Sequence, residues 1–363
     1  MSERVAVEPS EMALPDPAIP RPGDRVSLYE HQRRLTGVLL GHGPTGRPIV
    51  QSSFGTPFVA TSFDSMRIVD LGSRLPPNWH RVPSIGACVR PTPNEHGAFQ
   101  DLLAGRTAPG PRYIDLIEEI HNRGYETFVV GGTVRDVLRQ APGKDVDLVT
   151  TMPLLRAQDV LRQMYGTAAV PRPLPLAALR NGHLKLGGSR VAEDAFIDFC
   201  VFKHSSIGTR NAIFSDDFEF DTANRDFACN SVYYDPINDV LIDPSGYGID
   251  DAEEQVLRLV ASTELRSPYQ LGQVVVRLFK FVSRGMALHE SLSTSLDGLL
   301  PHLASMDSIR RASYVRTQIL SKTSSDKHEA AYAIFAESWS TLGLKDTFDE
   351  YIDCNRDMIM AIA

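Results

Sequence analysis

Residues 125–151 read YETFVVGGTVRDVLRQAPGKDVDLVTT, and the fold of the chain turns on them. Tyr125 to Val130 is a short run of aromatic and β-branched residues, the pattern of a buried strand. Gly131-Gly132 breaks the run. Thr133 to Gln140 then has the spacing of a helix that stops before Pro142-Gly143. Asp145 to Val149 is a second strand pattern. Side chains alternate along a strand, so Asp145 and Asp147 share one face and Val146 and Leu148 the other.

That order has a chemical use. Two carboxylates two positions apart on a strand converge on one point and can hold Mg2+, a hard cation that takes oxygen ligands. Gly131 and Gly132 let a polyphosphate approach the backbone closely. The helix that follows aims N–H groups and a partial positive charge at it, with Arg135 and Asp136 in its opening turns. A Gly-Gly pair alone is usually only a turn, and Asp-x-Asp alone is usually a solvated strand edge. Strand, glycine pair, helix and acidic strand in this order describe a site for a nucleoside triphosphate.

GGTVRD followed by DVDLVT resembles the signature of the class II nucleotidyltransferases, the superfamily of bacterial poly(A) polymerases and CCA-adding tRNA nucleotidyltransferases. The resemblance implies an α+β chain: a DNA-polymerase-β-like head of mixed sheet and helices, then an all-α neck and body. A second signature supports it. Residues 221–236 read DTANRDFACNSVYYDP, similar to the family's acidic residue followed by Arg-Asp-Phe-Thr-x-Asn-Ala. Asp221, Arg225, Asp226, Phe227 and Asn230 match; Ala228 replaces Thr and Ser231 replaces Ala. An Arg fork suits phosphate oxygens. Asp226 can orient that Arg or accept from a ribose hydroxyl, and Asn230 can donate and accept. The structural alternative is a buried Arg–Asp pair holding a helix to the sheet.

Asp198 lies in DAFIDFCVF (194–202), a strand pattern with Ile197, Phe199 and Val201 on the opposite face. The resemblance implies an acidic residue near the metals at this place, so Asp198 joins Asp145 and Asp147 as a catalytic candidate. The alternative is a salt bridge to Lys203 or Lys185, since a carboxylate among apolar neighbours needs a partner.

Outside the head the likeness weakens. Residues 243–251, DPSGYGIDD, resemble a flexible connector in which Gly246 and Gly248 can hinge. The family's neck motif, Glu-Asp-Pro-x-Arg, selects the incoming base; here the stretch is Arg266-Ser267-Pro268-Tyr269-Gln270, with only the Pro kept. Gln270 can still read a base edge. VRLFKF (276–281) is similar to the family's Arg-Ala-x-Arg-Phe, with Arg277 and Lys280 in the basic places. The resemblance covers roughly Ile114 to Phe281.

Three parts are expected: residues 1–108 as an N-terminal β-containing extension of unassigned role, 109–250 as the head, and 251–363 as a helical neck and body. In the first, 1–24 is a Pro-rich arm, 28–40 has the spacing of a short amphipathic helix, and GHGPTGRP (41–48) is a loop without the Lys of a P-loop. Strand-like pieces follow at PIVQSSF, PFVATSF and MRIVDL. YIDLIEEIHNR (113–123) and LLRAQDVLRQMY (154–165) are amphipathic helices. After Gly285 helices are expected at 291–303, 307–320, 328–342 and 346–362.

Composition bounds the function. No apolar run is long enough for a membrane span, and the first residues lack the basic start and apolar core of a signal peptide. The four cysteines are scattered without a CxxC pair, which argues for a reducing, cytoplasmic setting and against structural zinc. The formal net charge is −8, so any RNA contact must come from a local basic patch; Ser308 to Lys322 is the most basic segment. The expected activity is transfer of a nucleoside monophosphate from ATP or CTP, at two Mg2+ ions, with loss of pyrophosphate. The acceptor is an RNA 3′ end. The alternatives are a small molecule or protein bearing a hydroxyl or phosph(on)ate, and an inactive nucleotide-binding module. The acidic balance, altered neck and short body favour the small-molecule or protein acceptor more than is usual for the family. Oligomeric state is not legible.

Overall fold

The computed structural model describes residues 20–22, 24–30, 33–52, 57–62, 66–70, 87–106, 110–141, 146–168, 170, 172–186, 197–205, 213–214, 218–260, 266–321 and 323–361. They fall into two compact units, Met1–Glu253 and Glu254–Ala363.

The first unit opens with an antiparallel sheet of β1 (Arg25–Glu30), β2 (Arg33–His42), β3 (Pro48–Ser52), β4 (Pro57–Val59) and β5 (Met66–Asp70). β2 lies between β1 and β3, and β1 between β2 and β5. The helix expected over 28–40 is therefore wrong: the segment is the β1–β2 pair, with Leu28 opposite Leu35. Val26, Leu28, Leu39 and Val50 are buried together with Ala60 and Met66, an alternation that only a sheet can collect on one face. Gly37 adds a reason. A Cβ there would lie 2.3 Å from the Gln51 carbonyl oxygen, so β3 can approach β2 only because the side chain is missing. Glycine at mid-segment also weakens a helix. The three strand-like pieces after the loop at 43–47 form as expected.

The second sheet runs β6 (Ala87–Val89), β14 (Val240–Asp243), β13 (Tyr233–Asp235), β7 (Thr127–Val130), β8 (Val146–Thr150), β10 (Ile197–Val201) and β9 (His183–Leu186) in spatial order. Only β8 and β10 are parallel. The expected head begins at 109, yet β6 hydrogen-bonds along β14, so part of the preceding segment is built into the head sheet. In the other direction, the hairpin of β11 (Lys203–Ser205) and β12 (Ile213–Phe214) leaves the head sheet and meets β2, Phe214 opposite His42. The two sheets thus exchange strands within one unit.

Both faces of the head sheet are covered. Phe128, Phe202 and Tyr233 pack with Phe218 of α6 (Phe218–Ala223), ring centroids 4.8–6.3 Å apart. The next residue, Tyr234, points the other way and stacks at 3.8 Å on Phe99 of α1 (Pro93–Ala104). α2 (Tyr113–Asn122), α3 (Gly132–Leu138), α4 (Leu154–Tyr165) and α5 (Leu176–Asn181) complete the head with α7 (Gly248–Glu253). α2 buries Leu116, Ile117 and Ile120 and stops at Gly124, which takes φ +81°.

The second unit holds a short parallel pair, β15 (Val256–Leu257) and β16 (Ala287–Leu288), and the helices α8 (Pro268–Val282), α9 (Glu290–Leu299), α10 (Ser308–Ile319), α11 (His328–Thr341), α12 (Lys345–Tyr351) and α13 (Arg356–Met360). It is therefore not purely helical. The helix expected over 346–362 is split by a 3-10 turn at Asp353–Asn355. Trp339 stacks on Phe279 at 3.5 Å, with Phe335 edge-on and Phe348 tilted beside it. Among the described residues no helix is long and apolar enough to cross a membrane.

Candidate active site

β7 delivers Val130 to a bend that only glycine makes easily. Gly131 has φ +70° and ψ −137°, outside the regions open to residues with a Cβ. Its carbonyl accepts from the Arg135 N–H at 3.2 Å, so the bend also starts α3. The carboxylate of Asp147, from the neighbouring strand β8, faces this bend. A Cβ on Gly131 would lie 3.1 Å from Asp147 Oδ2, and one on Gly132 3.5 Å from the same atom. The missing side chains leave a gap directly in front of a carboxylate.

Thr133 fixes the spacing of the two elements. Its hydroxyl oxygen accepts from the Asp147 backbone N–H at 2.9 Å, which ties the opening of α3 to β8. The only sign of it in the sequence is a hydroxyl residue directly after the glycine pair. Asp145 lies outside the described residues.

The first signature is bound to the second. Arg135 is buried, 7% exposed. Its Nη1 donates to Asn230 Oδ1 at 2.7 Å, and its Nε and Nη2 donate to Asp136 Oδ1 at 3.1 and 2.8 Å. Asn230 in turn donates to Asp226 Oδ1 at 3.0 Å, which also takes the Phe227 N–H. Arg135 is thus a strut between the two signatures, where the sequence suggests a phosphate ligand.

Asp198 sits beside Asp147. The two are register partners on parallel β10 and β8 and so share a sheet face. His183 Nε2 lies 2.9 Å and Lys185 Nζ 3.4 Å from Asp198 Oδ1. Burial alone would raise the Asp198 pKa; the His183 hydrogen bond and the Lys185 charge hold it below the usual carboxylate range. Both expected features are present: adjacency to the acidic strand and the Lys185 bridge.

Residues 127–258 match the family model of the poly A polymerase head domain. Among curated relatives, the multifunctional CCA protein of Xylella fastidiosa is 30% identical over 163 residues, 44% of this chain and 35% of that protein. Poly(A) polymerase I of Salmonella typhimurium is 26% identical over 202 residues, 53% of this chain and 41% of that one. Over residues 127–258 the chain is similar to the poly A polymerase head-domain family.

The likeness is distant, and the match spans less than half the length of these relatives. Of solved structures, the Bacillus stearothermophilus CCA-adding enzyme in complex with CTP aligns at a TM-score of 0.49 with 21% identity, over 68% of this chain and 55% of that one.

The rest of the head-domain signature is arranged differently from expectation. Arg225 is held by Asp221: Nε and Nη2 lie 3.0 and 2.8 Å from Asp221 Oδ2. Tyr233 hydroxyl donates to the same oxygen at 2.7 Å and accepts from Arg225 Nε at 3.1 Å. Burial works against the Arg225 charge, but Asp221 and Tyr233 raise its pKa beyond the ordinary arginine value. This is the Arg–Asp pair fastening a helix to the sheet, α6 to β13, the structural alternative considered for the motif.

The expected hinge at 243–251 is a bonded turn. Asp243 accepts from the backbone N–H groups of Ser245, Gly246 and Ile249 and from the Ser245 hydroxyl, at 2.8 to 3.1 Å. A Cβ on Gly248 would meet Ala228 O and Val232 Cγ2 at 2.6 Å. Gly248 is needed for close packing and leaves no room for a hinge. Gln270, in the second unit, caps α8: its Oε1 accepts from the Ser267 N–H and hydroxyl at 2.9 and 3.0 Å. Its carbonyl oxygen is taken up by the helix start and not presented to a base.

Proposed function

We propose that this chain transfers a nucleoside monophosphate from a nucleoside triphosphate to the 3′ hydroxyl of an RNA, releasing pyrophosphate. The observation that carries this is the Asp147 carboxylate facing the space left by Gly131 and Gly132, with Cβ-to-oxygen distances of 3.1 and 3.5 Å. A carboxylate aimed into a gap beside bare backbone suits a hard cation shared with phosphate oxygens. Asp147, with Asp145, would hold Mg2+ there. When bound, the ion activates the attacking hydroxyl and offsets charge developing on the α-phosphate.

The chain's own residues do the rest. Gly131 and Gly132 admit the triphosphate to the backbone. Thr133 keeps that bend against β8. Arg135, Asn230 and Asp226 hold the second signature against the first, and Arg135 puts a positive charge close behind Gly132: its Nη2 lies 3.4 Å from where a Cβ on that residue would stand. Asp198 adds a second carboxylate on the same sheet face, its charge shared with His183 and Lys185.

An RNA acceptor is supported by the curated relatives, which are CCA-adding proteins and poly(A) polymerases. With Gln270 engaged in capping, the choice between ATP and CTP is left to other groups. The test is incubation with Mg2+, α-labelled ATP or CTP, and RNA with a free 3′ hydroxyl. The proposal requires label in RNA and release of pyrophosphate; turnover of triphosphate that never labels RNA would rule out the acceptor.

A further inference from the structure

The sheet of β1 to β5 has no role in the transfer chemistry above, yet it reaches the row of charged groups beside Asp147. That row crosses β9, β10 and β8: Lys185 is the register partner of Asp198, and Asp198 that of Asp147. Among the described residues β9 ends the head sheet and pairs only with β10. An edge strand is anchored by its sheet on one side alone. His183 and Lys185, which meet the Asp198 carboxylate, both stand on it.

The other sheet closes against the start of this strand. Gly182 ends α5 in the left-handed region, at φ +61° and ψ +38°, its N–H donating to Ala178 O. Its carbonyl oxygen accepts from the Val201 N–H of β10 at 2.8 Å. The buried ring of Phe214 stands where its side chain would be: a Cβ on Gly182 would lie 2.6 Å from Phe214 Cε1. Phe214, on β12, pairs with His42 of β2 and stacks on its ring at 5.5 Å. β12 also pairs with β11, and a single residue, Phe202, separates β11 from β10. The N-terminal sheet thus holds β9 through a rigid ring and β10 through the continuing chain. His183 follows Gly182 directly, and its 2.9 Å bond to Asp198 is lost if the strand shifts by about 1 Å.

We propose that the N-terminal sheet braces the Asp198 side of the site: Phe214 fixes the start of β9, and His183, so placed, is a positioning residue for Asp198 in nucleotidyl transfer. The role of His183 rests on the transfer reading above; the brace does not. The ring suits the task because it is stiff and broad, and it fills the place of a missing side chain. His183 then keeps the Asp198 carboxylate aimed along the row, toward Asp147.

The tests use the full chain. Hydrogen exchange read by mass spectrometry, at a temperature where every variant is folded, addresses the brace. Phe214→Leu keeps an apolar side chain and gives up the flat contact with Gly182. Exchange should quicken over 183–186 and stay unchanged over 127–130. Val50→Ala truncates the core shared by Val26, Leu28 and Leu39 and controls for a general loss of stability; it should leave 183–186 unchanged. Label passing from α-32P ATP to RNA with a free 3′ hydroxyl, with Mg2+, addresses the positioning. His183→Ala should lower kcat about tenfold and leave KM for ATP unchanged. His183→Gln, whose amide can donate in place of Nε2, should keep most of the rate. Phe214→Leu should lower kcat several-fold, and no further in the His183→Ala background, because it acts through that residue.

Exchange over 183–186 that is unchanged by Phe214→Leu, or raised equally by Val50→Ala, would overturn the brace. Full kcat in His183→Ala, a change confined to KM, or effects of Phe214→Leu and His183→Ala that multiply would overturn the positioning role. If the unaltered chain labels no RNA, the transfer reading fails and the role of His183 with it, while the exchange result still decides the brace.

Discussion

The Arg135 guanidinium and the Asn230 side-chain amide meet at 2.7 Å, joining two signatures 95 positions apart. Neither partner is on the surface, and each has a second bond, Arg135 to Asp136 and Asn230 to Asp226. The head is therefore braced at the point where its two signatures touch. Asn230→Ala leaves a buried guanidinium short of an acceptor and should lower stability by about 2 kcal/mol. Urea unfolding measures this. A loss below about 0.5 kcal/mol would mean that the bond is not a brace.

The glycine pair separates into two unequal residues. Alanine at Gly131 meets both a positive φ and Asp147 Oδ2 at 3.1 Å, and should cost about 1–3 kcal/mol and most of the triphosphate affinity. Alanine at Gly132 meets its nearest atoms at 3.4–3.5 Å, ordinary contact, and should fold normally. Melting curves with and without ATP and Mg2+ compare the two. Equal effects at both positions would show that the bend has been misread.

His42 gives the first unit a pH dependence. It is buried, stacks on Phe214 at 5.5 Å, and burial pushes its pKa down from 6.5 to about 4, against a hydrogen bond to Gly43 O. The unfolded chain takes up a proton below pH 6.5 while the folded chain does not until about pH 4. Stability therefore rises with pH across that window and falls as pH is lowered through it, by about 3 kcal/mol in all. His42→Phe should flatten the unfolding free energy between pH 6.5 and 4. An unchanged slope would place the titration elsewhere.

How much of this was legible in the sequence depends on how far each feature reaches. The bend, its flanking strands and Asp147 lie within the 24 residues from Thr127 to Thr150, and local pattern located them all. The 28–40 segment was misread because its apolar spacing fits a short helix as well as a strand pair, and the deciding neighbour, β3, arrives only with Gly37's missing side chain. The second signature was found, but its bonds were not. An Arg next to an Asp suggests a pair, whereas Arg225 takes Asp221, one helical turn back, because Tyr233 closes the triangle from β13. Thr133 was overlooked since a backbone N–H on another strand is its partner.

Gln270 shows how a local rule can override a functional one. Ser267 and Gln270 stand at N-cap and N3 of α8 and bond reciprocally, which is a capping box. Gln270→Ala should lower the melting temperature, by about 1 kcal/mol of stability, and leave the ratio of ATP to CTP use unchanged. Competition between the two labelled nucleotides reads that ratio. A shift of tenfold or more would return Gln270 to base recognition.

Transfer at the glycine bend is proposed to depend on the Asp147 carboxylate. The most direct measurement is label from α-32P ATP or CTP appearing at RNA 3′ ends with Mg2+, for the unaltered chain and for Asp147→Ala. The Asp147 backbone N–H keeps its bond to Thr133 in the variant, so its melting temperature should not fall. Transfer should drop at least about a hundredfold. Labelling by a folded Asp147→Ala protein at the unaltered rate would contradict the account.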